Sequence, residues 1–256
     1  MNVVAIIPAR MNSSRFPGKP LEKIHGMPMI GHCLLRTQLC AELTDTYVAT
    51  CDQVIYDYIT SIGGDAIMTS PDHERASDRT AEAVSYIESN TGKDIDVVVM
   101  VQGDEPMILP EMIDESIAPF SEPSIEVVNL MAKIGTVEEF NDPNEVKVVI
   151  DENNYAIYFS REPIPSRKKY SSDVPMFKQV CIIPFRRESL EAFNEMPETK
   201  LEIIESVDML RLIESGKKVK MVNTEYETYS VDTQEDLDKV EDLMSNDKLI
   251  EHYSLK

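Results

Sequence analysis

The run Asp96–Val101, DVVVMV, carries five apolar residues in unbroken succession. A strand with one wet face alternates apolar and polar side chains, so a continuous β-branched run fits a strand covered on both sides. Similar short runs recur at Val3–Ile7, Tyr47–Thr50, Val127–Leu130, Val146–Ile150, Tyr155–Phe159 and Val219–Val222. Segments of helical period lie between them, over 28–40, 53–62, 76–90, 188–195 and 201–214, and a last helix starts near Thr233. This alternation predicts an α/β fold with a mostly parallel central sheet and flanking helices.

The 256 residues suffice for one large or two small domains. No repeat or interdomain linker interrupts the pattern, which predicts one domain over 1–245. Residues 161–176, REPIPSRKKYSSDVPM, break the alternation with prolines, serines and basic residues. They predict a flap or dimerisation insertion at about 161–185. Residues 246–256 read as a polar tail that frays.

Charge narrows the partners. There are 25 Lys and Arg against 46 Asp and Glu, a net charge of −21. Nucleic acid and anionic membrane both select a cationic face, so neither is expected as a main partner. No apolar run approaches the ~18 residues of a membrane span, and Val3–Ile7 is too short for a secretory core. Cys33, Cys40, Cys51 and Cys181 show no CxxC spacing. They are expected to be reduced, mostly buried thiols of a cytoplasmic protein.

In open α/β sheets, ligands bind beyond the carboxyl ends of the strands. After the first strand comes Pro8–Lys19, PARMNSSRFPGK, with Arg10, Arg15 and Lys19 in ten residues. A local cationic loop in an anionic chain fits a polyphosphate, or it is a solvated basic turn. It is neither a Walker A nor a GxGxxG sequence, which excludes the usual ATPase and dinucleotide cradles. After Val101 comes Gln102-Gly103-Asp104-Glu105-Pro106. A carboxylate beside a glycine at a strand end can approach Mg²⁺, or it is an ordinary Asp turn. Near the last helix, Thr233 reads as N-cap with Asp236 at N3, a structural role, and Asp232 beside it is still free to face the same crevice as Asp104. His25, His32 and His252 lack metal-type spacing and read as surface or loop residues. The chain has no GxSxG elbow and no HExxH.

With these motifs in one chain, the sequence resembles the CMP-Kdo synthetases, the 3-deoxy-manno-octulosonate cytidylyltransferases. The carriers are Ile6–Arg10, Ser14–Leu21, Pro28–Ile30, Val101–Pro106, Asn144–Val149, Tyr158–Arg161 with Pro163–Pro165, and Val231–Thr233 with Glu235–Leu237. The resemblance implies a glycosyltransferase-A-like nucleotidyltransferase fold, a homodimer, and Mg²⁺-dependent transfer of CMP from CTP to the anomeric hydroxyl of Kdo or a related acidic sugar. That reaction belongs to nucleotide-sugar and lipopolysaccharide biosynthesis. Arg10, Arg15 and Lys19 would then hold the triphosphate, and Asp104 and Asp232 would bind Mg²⁺. Ala9 and the segment His73–Arg79, including Ser77, would face the cytidine. Gln102, Arg161, Gln179, Phe185 and Glu205 would lie toward the acceptor. Other acids, such as another ulosonic acid or a phosphonate, are alternative acceptors. A glycosyltransferase of similar fold does not need the Arg10–Lys19 loop, and a non-catalytic nucleotide binder does not need both aspartates.

The chain departs from the family pattern at specific positions. Ala76 replaces a glycine, which limits any backbone conformation with positive φ. Gln179 stands for a histidine, Phe185 for a tyrosine and Met209 for a glutamine, while Leu201-Glu202 and Glu205 are kept. These three changes predict an acceptor with fewer or differently placed hydroxyls than Kdo, and improved use of Kdo by Phe185→Tyr with Met209→Gln.

Overall fold

The computed structural model describes residues 1–12, 16–168 and 174–253. Its contacts gather into two compact units, Met1–Asp114 with Thr228–Lys256, and Glu115–Glu227. The first unit is assembled from both parts of the chain that flank the second. The first boundary falls inside the helix Pro110–Ile117, so the alternation of elements runs across the division unbroken.

The first unit holds the parallel sheet. Its strands lie in the order Val97–Val101, Val3–Ala9, Asp45–Thr50, Asp65–Met68, each pair parallel. Every residue of Val3–Ala9 and Val97–Val101 is buried, the condition their unbroken apolar runs require. The helices Met29–Thr37, Gln53–Ser61 and Ala76–Thr91 make the crossovers and pack on these strands. Asp65–Met68 follows Gly63-Gly64 and was not read as a strand, because DAIM is short and its Asp65 is exposed.

Two histidine and tail expectations change here. His32 is buried in the Met29–Thr37 helix rather than on the surface. Its Nε2 lies 2.9 Å from the Ile24 carbonyl, which can only accept, so Nε2 carries the proton. Nδ1 therefore accepts from the Tyr253 hydroxyl at 2.9 Å. Residues 246–253 dock rather than fray: Tyr253 is buried in a final turn, Ile250–Tyr253, and Arg36 reaches both Asp247 and the Tyr253 hydroxyl. Arg36 is itself sealed in, with Nε on the Ile108 carbonyl at 2.7 Å. A buried guanidinium without its carboxylate would be costly, and that cost fixes the tail.

The second unit carries a mixed sheet in the order Lys220–Thr224, Val128–Lys133, Phe177–Val180, Lys147–Ile150, Ala156–Ser160. The first pair is parallel and the others antiparallel. Phe177–Val180 sits in the middle of this sheet, so the carboxyl half of the expected 161–185 flap is sheet core. Residues 169–173 of that segment lie outside the described residues. The helix expected over 201–214 is two, Lys200–Glu205 and Met209–Glu214, broken at Ser206 with φ +53°. The break lets Arg211 turn back on Glu202, with Nε–Oε2 2.8 Å and Nη2–Oε1 2.5 Å, both side chains buried. Helical periodicity across the break hid it.

Candidate active site

Beyond the carboxyl ends of the parallel strands, three of the expected residues meet. Lys19 Nζ lies 2.9 Å from Asp104 Oδ2, 3.2 Å from Asp232 Oδ1 and 2.7 Å from the Val231 carbonyl. Lys19 is 9% exposed. Burial is the largest single influence on its ammonium and pulls the pKa down. The attraction and hydrogen bonds of Asp104 and Asp232 together outweigh it and hold the pKa above the usual 10.5.

Backbone geometry builds this cluster. Gly18, at φ +81°, turns the chain into the short helical turn Lys19–Leu21, and its N–H donates to the Met11 carbonyl at 3.0 Å. A Cβ on Gly103 would stand 3.1 Å from the Pro8 carbonyl and 3.0 Å from Ile30 Cδ1, so a side chain there would push Asp104 away from the first strand's loop. Val231 N–H donates to the Asp104 carbonyl at 2.9 Å, fixing the two aspartates side by side. Thr233 accepts from the Asp236 N–H at 3.2 Å while Asp236 accepts from Thr233 at 2.8 Å, the expected capping box.

The rest of the cationic loop is more open. Ala9 ends its strand in a buried position, and Arg10 is exposed with no acidic partner among the described residues. Arg15 lies outside the described residues. Asp52, outside the motifs of the strand-end loops, accepts the Met11 N–H at 2.8 Å and anchors the loop. Its signal was present: an acidic residue two places beyond the strand Asp45–Thr50.

In the segment 73–79, His73 Nε2 meets Glu82 Oε2 at 2.5 Å. Arg79 is buried, donating to Thr69 Oγ1 at 2.5 Å and to the His73 carbonyl at 3.2 Å. It therefore holds the loop's shape from behind. Ser77 is buried as well. Ala76 opens the helix Ala76–Thr91 and is absent from the positive-φ residues, so the missing glycine costs the backbone nothing here.

Gln102 follows the strand Val97–Val101 in the first unit; the remaining acceptor candidates fall in the second. Arg161 and Glu205 are brought together. Arg161 Nε donates to the Glu205 carbonyl at 2.7 Å and Nη1 to the Pro143 carbonyl at 2.9 Å. The Glu205 carboxylate accepts from Ser160 Oγ at 2.8 Å, Tyr158 at 3.2 Å and the Arg161 N–H at 2.9 Å. Gln179 Nε2 donates to Asn129 Oδ1 at 2.6 Å, and buried Asn129 donates on to the Val180 carbonyl at 2.8 Å. Phe185 is 0% exposed and packs on Phe193 at 5.8 Å, and Met209 is also 0% exposed. The structure thus corrects their placing on an acceptor wall: both are core. Nearby, Lys147 Nζ is held by the carbonyls of Asp142, Glu145 and Arg161 at 2.6–2.7 Å. A lysine inside an apolar run was the signal for this brace.

Residues 4–219 match the family model described as cytidylyltransferase. A 3-deoxy-manno-octulosonate cytidylyltransferase of Trichlorobacter lovleyi is 42% identical over 255 residues, covering 95% of this chain and 99% of the relative. The chain belongs to the CMP-Kdo synthetase family of cytidylyltransferases. It is a nucleotidyltransferase by that membership. An 8-amino-3,8-dideoxy-manno-octulosonate cytidylyltransferase of Shewanella baltica is 40% identical over 249 residues, covering 96% of this chain and 100% of the relative. Among solved structures, a CMP:2-keto-3-deoxy-manno-octonic acid synthetase complexed with CTP superposes with a TM-score of 0.87. It is 36% identical, and the match covers 96% of this chain and 99% of that one.

Proposed function

We propose that this protein transfers CMP from CTP to the anomeric hydroxyl of Kdo or a closely related acidic sugar, with release of pyrophosphate. The observation that carries the reading is the cluster of Lys19, Asp104 and Asp232, set at the carboxyl ends of a parallel sheet in a member of this family. Attack of the sugar hydroxyl on the α-phosphorus expels a highly charged leaving group. The protein's work is then to position the reactants and neutralise charge.

The reading includes Mg²⁺ held by Asp104 and Asp232. Two carboxylates close enough to share one lysine are a hard-oxygen donor pair, and Mg²⁺ is usually held by one or two carboxylates together with substrate phosphates. With two carboxylates from the protein, phosphate and water oxygens would supply the remaining donors. When bound, the ion supplies charge neutralisation at the phosphates. Exposed Arg10 is free to take phosphate oxygens. Arg161 is engaged with backbone carbonyls, which orient the segment beside it.

Relatives named for Kdo and for its 8-amino analogue are almost equally similar to this chain. With Phe185 and Met209 in the core, their substitution gives no ground for expecting Kdo to be rejected. The reading therefore takes Kdo as the leading acceptor. It also includes a homodimer in the cytoplasm. Exposed Ile157, Ile203 and Ile204 offer apolar surface for a partner, and none of the four cysteines is in a disulfide. Among the described residues no helix is long and apolar enough to cross a membrane.

The test is pyrophosphate release from CTP and Mg²⁺ with Kdo, 8-amino-3,8-dideoxy-manno-octulosonate, or no acceptor. Release with an eight-carbon acidic sugar and a CMP-sugar product supports the reading. CTP binding without release for either sugar overturns it.

A further inference from the structure

We propose that Lys19 occupies the place of the divalent metal in the nucleotide-free protein, so that metal enters only when an incoming phosphate draws the ammonium off Asp104 and Asp232. The inference rests on the metal reading above and deepens it.

An ammonium has three N–H donors and no acceptor. Those of Lys19 meet three oxygens, on Asp104, Asp232 and Val231, at 2.9, 3.2 and 2.7 Å. No donor is left over for a phosphate, so Lys19 cannot hold a triphosphate while it stays in this position. The same two carboxylates are the expected metal donors. Mg²⁺ binds such oxygens at about 2.0–2.1 Å and carries two positive charges, so ion and ammonium cannot share them. Metal arriving alone must break two charge-assisted hydrogen bonds and leave a buried ammonium with no anionic partner beside the Val231 carbonyl. Metal arriving with a polyphosphate gives Lys19 new anionic acceptors as it leaves. Nucleotide and metal then favour one another's binding, and that coupling is reciprocal.

The aspartates do not depend on Lys19 for their place. The Val231 N–H to Asp104 carbonyl bond and the capping box beside Asp232 are made by the backbone and by Asp236. Asp104 and Asp232 side chains also retain 27% and 17% exposure, enough for water to replace the lost donor. A protein without the Lys19 ammonium should therefore fold with both carboxylates released from it.

The experiment is a titration of nucleotide-free protein with Mn²⁺ alone, read by loss of the free-ion paramagnetic resonance signal. Lys19→Met and Lys19→Gln are compared with the unmodified chain, and folding is checked by circular dichroism. Each charge-assisted bond that need not be broken is worth about tenfold or more, so both variants should bind Mn²⁺ at least about tenfold tighter. Adding Asp104→Asn to Lys19→Met should abolish the gain. If the unmodified chain binds Mn²⁺ as tightly as Lys19→Met, and Asp104→Asn weakens both, the aspartates hold metal but Lys19 does not block it. If Asp104→Asn changes nothing in any background, the metal reading itself fails and this inference with it.

Discussion

Arg161 and Glu205 grip each other twice: the Arg161 guanidinium donates to the Glu205 carbonyl at 2.7 Å, and the Glu205 carboxylate accepts the Arg161 N–H at 2.9 Å. With Ser160 and Tyr158 on the same carboxylate, one side chain fixes the end of the strand Ala156–Ser160. Glu205→Ala removes three bonds to a charged acceptor and should lower stability by about 2–4 kcal/mol in urea unfolding. Its effect on turnover should fall on the KM for the sugar, with CTP affinity unchanged.

Arg10 poses the opposite case, an exposed cation with no acidic partner among the described residues. Arg10→Ala should leave the melting temperature unchanged and weaken CTP binding about tenfold, the worth of one charge-assisted contact. Calorimetric titration with CTP measures it.

Phe185 and Met209 illustrate how a family pattern can mislead about placement. Both are less polar than the residues the family places there, and both are 0% exposed. Phe185→Tyr adds a hydroxyl beside Phe193 in the core, and should cost about 1–3 kcal/mol of stability unless the group finds a partner. The KM for Kdo should stay within about twofold. Improved use of Kdo would return Phe185 to the acceptor wall.

His32 gives a pH signature. Burial is the largest influence and, with Arg36 nearby, keeps its pKa below the usual 6.5 even though the Ile24 carbonyl pulls it up. As pH falls through about 6.5, the unfolded chain takes up a proton that the folded chain refuses. Stability is thus complete above that pH and declines below it, by up to about 1.4 kcal/mol per pH unit until the folded pKa is reached. Denaturation at about pH 7.5 and 5.5 should show a steeper loss for the unmodified chain than for His32→Gln.

What the sequence made legible follows from range. Val97–Val101 and the Thr233–Asp236 cap are local patterns, and both stand where they were expected. The Lys19–Asp104 contact spans 85 residues, but Asp104 follows the strand Val97–Val101 and Lys19 ends the loop that follows Val3–Ala9, so two neighbouring parallel strands bring both to the same edge of the sheet. Phe177–Val180 was missed because FKQV is four residues long and carries Lys178, whose ammonium is paired with Glu139 and Glu145 at 2.7 and 3.1 Å. Asp247 and Tyr253 looked like tail because their partner, Arg36, lies over 210 residues away. Buried polar groups matched only by distant partners leave no periodic trace.

The proposed function assigns CMP transfer to the place where Lys19, Asp104 and Asp232 meet. The most direct measurement is the rate of pyrophosphate release from CTP and Kdo by Asp104→Asn, with the fold verified by circular dichroism. If Asp104 holds Mg²⁺ as proposed, the replacement takes away a metal donor while keeping the side chain's shape, so the rate should drop by about 10²-fold or more. A folded Asp104→Asn protein that turns over at close to the unmodified rate would contradict the account.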